Sequence, residues 1–378
     1  MKDIYKESVK LHREKRGKLE MKSKVSLATR TDLSLAYTPG VAEVCRVIAK
    51  DRKETRNLTM KGNTVAVVTD GSAILGLGNL GAAAALPVME GKCILFKEFG
   101  GIDAMPICLD TQDEEEIIKT VKYLAPVFGG INLEDISAPR CFTIEERLKR
   151  ELDIPVMHDD QHGTATVVLA GLINALRLRG SERGQVKVVM NGAGAAGIAV
   201  AKLLSKAGFG DIVVCDSRGA LYEGREDLTA VKTELARLTN KKKIKGELGD
   251  VIRGADIFIG VSIGNILDKG MIKSMNERPI IFALANPIPE IMPEAALAAG
   301  AFIVATGRSD FPNQINNVLA FPGIFRGALD NGVAQITDAM FIRAAESLAA
   351  VIKEPKTDGV LPDVFDKEVV KAVATAIF

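Results

Sequence analysis

From about residue 164 the chain alternates apolar runs with amphipathic stretches in a regular way. The segment ATVVLAGLINALRL predicts a long helix that ends at Gly180. Apolar runs then recur at 186–191, 212–216, 256–261, 279–285 and 301–305, with helical segments between them. Near-continuous apolar strands alternating with helices predict a parallel sheet covered on both faces. Residues from about 321 to 378 read as helical again.

The first part of the chain is less regular. Residues 1–27 read as an amphipathic helical arm, with Leu11, Leu19 and Met21 spread among charges as for a subunit contact. Strands are predicted at 64–69 (TVAVVT), 93–96 (CILF) and 105–109, and a helix over 113–124. The run TIEE at Thr143 has the form of a capping box and predicts a helix reaching about Arg150. A strand in IPVMHDD follows, and the helix after it is expected to open near Gly163.

Two glycine patterns of the form GxGxxG occur, at Gly76, Gly78, Gly81 and at Gly192, Gly194, Gly197. The second directly follows the strand VKVVMN and opens the helix GIAVAKLLSKAG. The strand IVVCD comes next and ends in Asp216. That order is the dinucleotide fingerprint: glycines let the backbone approach a pyrophosphate, and the helix N-terminus faces its charge. Ala195 and Ala196 lie within it, and Asp216 is placed to bind ribose hydroxyls. Asp216 favours NAD, while Ser217 and Arg218 beside it suit the 2′-phosphate of NADP, so the coenzyme stays open between the two. The first pattern begins well after its strand, and Pro87 is expected to interrupt the following helix early. It reads as a substrate-site or packing loop.

Two acidic pairs follow apolar runs: Glu134–Asp135 in INLEDISAP and Asp159–Asp160 in VMHDDQHGT. Strand ends are where open α/β sheets place their ligands. Clustered carboxylates repel unless a cation or proton lies between them, and hard oxygen donors suit Mg²⁺ or Mn²⁺. Asp160 alone also reads as an acid at a helix N-terminus, and Glu134 and Asp135 as turn residues. His158 and His162 flank the second pair, but a strand-then-turn segment does not give them the one-face spacing of helical ligands. Lys92, beside an apolar run, is expected to be partly desolvated, which lowers its pKa toward base chemistry. Tyr37 sits before the Pro39–Gly40 turn as a candidate acid. Asn286, Asn316 and Asn317 lie in loops where amides can orient a carboxylate or a nicotinamide.

Composition narrows the class. The 378 residues suffice for about two domains. A formal net charge of +1 gives no reason to expect nucleic acid or a membrane surface. The charged N-terminus carries no signal-peptide core, and no run approaches a membrane span. Cys45, Cys93, Cys108, Cys141 and Cys215 form no CxxC pair, which points to reduced thiols in the cytoplasm. The expected organisation is an N-terminal α/β substrate and metal domain (1–160) and a Rossmann-type, doubly wound domain (161–378). The C-terminal helices are expected to pack back on the first domain.

Together these segments resemble the malic enzyme family in its short prokaryotic-type form. The resemblance rests on YTPGVA (37–42), VVTDGSAILGLGNLG (67–81), MEGKCILFK (89–97), INLEDI (131–136), HDDQHGTA (158–165), NGAGAAG (191–197), FALANPIPE (282–290) and GRSDFPNQINNVLAFPG (307–323), in family order. It implies oxidative decarboxylation of L-malate to pyruvate and CO₂ with reduction of NAD(P)⁺. It also implies Glu134, Asp135 and Asp160 as metal ligands, Lys92 as general base supported by Asp159, and Tyr37 as general acid. Asn286 and Asn317 match residues at the malate and nicotinamide. Malolactic chemistry, malate to lactate with NAD retained, is the alternative, and a homodimer is the default assembly. Two departures stand out. Ala73 occupies the place of an arginine that holds the substrate carboxylate in longer members, so another group must supply that clamp. The chain also ends at Phe378, without the phosphotransacetylase-like domain of the large hybrid members, so regulation through such a domain is not expected.

Overall fold

A computed structural model describes residues 3–378 and contains two parallel sheets joined by one long buried helix. Three helices come first: α1 (Ile4–Lys15), α2 (Arg30–Ala36) and α3 (Val41–Lys50), none with a buried residue. The expected arm over 1–27 is thus helical only to Lys15, where Arg16 adopts a left-handed cap; residues 1 and 2 lie outside the described residues. The short α4 (Thr55–Leu58) leads into the first sheet.

That sheet holds β1 (Thr64–Thr69), β2 (Asp103–Cys108), β3 (Gly130–Leu133) and β4 (Val156–His158) in the order β2-β1-β3-β4, all parallel. Its helices are α5 (Ala82–Gly100), α6 (Glu114–Leu124) and α7 (Arg140–Glu151). The strand expected at 93–96 is the last part of α5 instead. Ala82, Ala85, Met89, Lys92, Cys93, Phe96 and Gly100 are its buried positions, a helical period that a four-residue apolar window cannot reveal. Pro87 does not break α5. The carbonyl it leaves without a donor belongs to Ala83, which is exposed to water. Likewise α7 starts at Arg140, so Thr143 lies inside it and caps nothing.

The helix α8 (Asp159–Arg179) connects the sheets and begins at the acidic pair itself, not at Gly163. Two carboxylates in its first turn favour its N-terminus. The second sheet contains β5 (Lys187–Asn191), β6 (Asp211–Asp216), β7 (Gly219–Ala220), β8 (Ile257–Gly260), β9 (Ile280–Ala283) and β10 (Ile303–Thr306). Their order is β10-β9-β8-β5-β6-β7, parallel except for the short β6–β7 pairing. Chain direction across the sheet reverses at β5, the switch point where doubly wound sheets bind ligands. Helices α9 (Ala195–Lys206), α10 (Ala230–Leu238), α11 (Leu248–Val251), α12 (Lys269–Lys273) and α13 (Pro293–Ala298) fill the connections. The chain closes with α14 (Phe321–Asp330), α15 (Asp338–Val351) and α16 (Glu368–Ala374).

One continuous core runs from β1 and α5 through α8 and α9 to β5, β8 and the closing helices. Phe96 of α5 meets Phe321 and Phe325 of α14 edge-on, at 4.7 and 5.4 Å between ring centroids. Each such buried ring contributes roughly 1.5–3 kcal/mol by burial, so the C-terminal helices are fastened to the first sheet's helix layer. Among the described residues no helix is long and apolar enough to cross a membrane.

Candidate active site

The inward face of α5 carries one charged residue, Lys92, which is 8 % exposed. Its ammonium donates to Asp159 Oδ2 at 2.6 Å and pairs with Glu134 Oε1 at 2.9 Å. It also lies 4.4 Å from the centre of the Phe321 ring. Glu134 follows β3 and Asp159 follows β4, so two strand ends meet one helix face. Asn132 Nδ2 donates to the other Glu134 oxygen at 2.9 Å. Asn317, from the loop after β10, donates to Asp159 Oδ2 and brings the second sheet's side of the molecule to the same atom.

Beside this group, ligand oxygens of Glu134, Asp135 and Asp160 all lie within 4.8 Å of one another. The Asp135 backbone N–H donates to Asp160 Oδ2 at 3.0 Å, with Asp135 at a left-handed φ of 52°. Asp135 Oδ2 and Asp159 Oδ1 are buried and have no hydrogen-bond partner. Four carboxylates thus face one ammonium. Burial would push Lys92 down, but Asp159 and Glu134 outweigh it and hold the amine firmly protonated. The lowered lysine pKa expected from an apolar neighbourhood is therefore not found in the cation-free protein: the two carboxylates reverse the sign. Burial, then Asp160, pushes Asp135 up to about 7. Burial also raises Glu134 and Asp159, against the pull of Lys92. Converging hard oxygens, an orphaned buried carboxylate oxygen and excess negative charge fit a divalent cation bound by oxygen.

The histidines do not join this cluster. His162 stacks on Phe341 and lies 3.0 Å from Glu145, while His158 is buried with neither ring nitrogen hydrogen-bonded and its Nε2 3.9 Å from Asp160. The first glycine loop folds against the acidic turn: Ala73 N–H donates to Asp135 O, and Ser137 N–H to Ser72 Oγ. Arg140 fastens the loop through Asp70 at 2.8 Å and Ser72 at 3.0 Å. Gly76 reaches the second sheet, where a Cβ would stand 2.8 Å from the Asn286 carbonyl. Asn286 itself lies just beyond β9, with its amide against Gly307.

Tyr37 is elsewhere. It ends α2, is 67 % exposed, and its backbone bonds only within that turn, to Leu33 and Val41.

The second glycine pattern forms the β5–α9 turn. Gly192 has φ of 121°, and a Cβ there would meet Val261 O at 2.8 Å. A Cβ on Gly197 would stand 1.9 Å from Gly192 O, whereas Gly194 faces open space. That is a cradle tight beneath and open above, with Ala195 and Ala196 starting α9 and no side chain capping the helix. Such a turn fits a pyrophosphate. Asp216 ends β6 and is filled by its own chain. It accepts from Arg225 at 2.9 and 3.2 Å, from Lys232 at 2.7 Å and from the Arg218 N–H at 3.0 Å. Burial opposes its ionisation, but Lys232, the Arg218 N–H and Arg225 together hold it below its ordinary value. Ser217 follows it directly, and Arg218 is exposed and paired with Asp227. Sequence reading missed Arg225, Lys232, Phe321, Arg140 and Glu145. Only Glu145 had a signal, its helical spacing with Cys141, Ile144 and Leu148.

A Rossmann sheet with this cradle, facing a second sheet with a buried lysine–carboxylate centre, defines a nicotinamide-dinucleotide-dependent oxidoreductase. The family model for the malic enzyme NAD-binding domain matches residues 161–378, and that for the malic enzyme N-terminal domain matches 16–119 and 111–149. The bifunctional malic/malolactic enzyme of Bacillus subtilis is 59% identical over 374 residues, 98% of this chain and 91% of that protein. The NAD-dependent malic enzyme of Geobacillus stearothermophilus is 56% identical over 363 residues, 96% of this chain and 76% of that protein. The crystal structure of the NAD-dependent malic enzyme of Thermotoga maritima superposes with a TM-score of 0.95 at 52% identity, covering 98% of both chains. The chain belongs to the malic enzyme family.

Proposed function

We propose that this protein oxidatively decarboxylates L-malate to pyruvate and CO₂ while reducing NAD⁺ or NADP⁺, with Mg²⁺ or Mn²⁺ at Glu134, Asp135 and Asp160. The observation that carries this reading is Lys92, buried between Asp159 and Glu134 and adjoining three converging carboxylates. Lys92 takes the proton of the malate hydroxyl. Asp159, itself held by Asn317, keeps its Nζ in place for that transfer. A cation bound at the three carboxylates supplies positive charge that eases loss of the hydroxyl proton, steadies the negative charge left as CO₂ departs, and offsets the acids that otherwise keep Lys92 protonated. The β5–α9 cradle fixes the dinucleotide, and Asn286, at the contact with the first glycine loop, orients substrate or nicotinamide. NAD⁺ or NADP⁺ held in that cradle would supply the acceptor for the C2 hydride. Phe321 closes one side of Lys92 against water. Tyr37 returns the proton to C3.

Tyr37 is exposed in its own chain, and so are Leu33, Leu35 and Val47 around it. We infer a homodimer in which a second copy covers this surface and receives Tyr37 at its Lys92. Mixing Tyr37→Phe and Lys92→Met chains and letting them exchange is then expected to restore about a quarter of wild-type activity, because half the dimers are mixed and each has one intact site. Recovery no greater than the sum of the single variants would place Tyr37 with the Lys92 of its own chain. Five free cysteines agree with a reducing, cytoplasmic setting.

Malolactic chemistry is the second reading, favoured by the name of the Bacillus subtilis relative. One assay separates the two: purified chain, L-malate, Mn²⁺ and either NAD⁺ or NADP⁺, followed for reduced nicotinamide, pyruvate and lactate. Pyruvate and reduced coenzyme in equal amounts, lost with EDTA, are expected. Lactate without reduced coenzyme favours the second reading, and neither product overturns both. The faster coenzyme decides how the Asp216, Arg218 and Lys232 group is used.

A further inference from the structure

One more carboxylate is shut inside the protein near this centre. Glu145 is 5 % exposed and shares the inward face of α7 with Cys141, Ile144 and Leu148. An ionised carboxylate buried without partners costs several kcal/mol, so its partners are informative. All but one come from the start of α8. Oε1 accepts from the His158 backbone N–H at 3.0 Å, and Oε2 accepts from Gln161 Nε2 at 3.2 Å. His162 Nε2 lies 3.0 Å from Oε2, and Lys149 of the same helix stands 3.5 Å from Oε1. Burial works against the charge, but His162 above all, with Lys149 and His158, overcomes it and holds the acid down at about 2.

The three α8 donors bracket Asp159 and Asp160. The helix has no side-chain cap of its own, because its N-cap is His158. Glu145 therefore reaches across from α7 to do that work, in part through the His158 N–H. The ring of His162 is fixed on its face as well, stacked on Phe341 at 4.6 Å. His158 Nε2 points toward Asp160 from 3.9 Å. A small rotation of this turn would draw Asp160 away from the Asp135 N–H, and with it one side of the carboxylate cluster.

We propose that Glu145 is a positioning residue for the cation centre, holding the first turn of α8 so that Asp160 presents its carboxylate beside Glu134 and Asp135. The inference rests on the cation site proposed above. Groups that orient metal ligands from behind commonly set affinity by about 10–100-fold.

Glu145→Gln tests it. Glutamine keeps the volume and one acceptor but turns the other oxygen into an amino group, which confronts the donors of Gln161 and His162. Mn²⁺ binding is measured on the full chain by the paramagnetic resonance of free Mn²⁺, without substrate or dinucleotide, and NAD⁺ binding by calorimetry. Mn²⁺ is expected to bind about 10–100-fold more weakly, with NAD⁺ affinity unchanged, since the hydrogen bonds and ion pairs of Glu145 go to α7 and the start of α8 and not to the β5–α9 cradle. If that variant does not fold, His162→Phe keeps a ring against Phe341 and removes one hydrogen bond, and about fivefold weaker Mn²⁺ binding is expected. Mn²⁺ affinity within about twofold of wild type in both variants overturns the proposal. So does equal weakening of Mn²⁺ and NAD⁺, which marks general loosening. A wild-type chain that binds no Mn²⁺ overturns the cation site itself, a result distinguishable from failure of Glu145 alone.

Discussion

Replacing Lys92 by methionine is expected to lower turnover by about 10²–10⁴-fold, the range for loss of a positioned general base. The same change is expected to destabilise the cation-free protein. It leaves Glu134 and Asp159 buried around an apolar side chain, and breaking a buried pair costs about 3–5 kcal/mol. The two effects are separable. Added Mn²⁺ brings back positive charge, so the melting temperature of the variant is expected to rise more with Mn²⁺ than that of wild type, while turnover stays low. Steady-state rates at saturating malate, with melts in EDTA and in Mn²⁺, give both quantities. Turnover within tenfold of wild type would remove Lys92 from the chemistry.

Asp160→Asn is expected to abolish cation-dependent activity and the stabilisation by Mn²⁺ together. In wild type, a cation at a hundred times its dissociation constant adds about 2.7 kcal/mol by mass action. The variant keeps an acceptor for the Asp135 N–H but loses one of the three converging charges. Thermal melts across an Mn²⁺ series check this directly. A wild-type midpoint indifferent to Mn²⁺, or an equal shift in the variant, would rule out these three residues as the cation site.

The second sheet was legible in the sequence because its strands are buried on both faces and read as unbroken apolar runs. Its glycine turn was legible for a steric reason: no Cβ fits at Gly197. The first sheet was harder. The α5 helix contains a proline and a four-residue apolar run, and both argued against a helix until its full period was in view. The acids were found, since each pair ends an apolar run, but their meeting with Lys92 joins residues 67 positions apart. The apolar run beside it pointed to that lysine, and its charge state goes the other way because the neighbours that decide it are distant in sequence. Glu145 lies inside the TIEE run read as a capping box, whose acid is Glu146, although its place on an apolar helix face marks it as buried. Tyr37 is marked by the turn that follows it, but its exposure cannot be read from that turn.

The helix α8 spans 21 residues, with acids in its first turn and Arg179 in its last, next to the strands of the second sheet. Both its ends are committed, one to the carboxylate cluster and one to the second sheet. Adding or removing a single residue between them would turn one end against the other by about 100°. Its length is therefore not free to drift over evolutionary time. The halves of related proteins can be exchanged as cassettes only where the crossover keeps that count intact, which ties the inheritance of the acidic turn to that of the dinucleotide sheet.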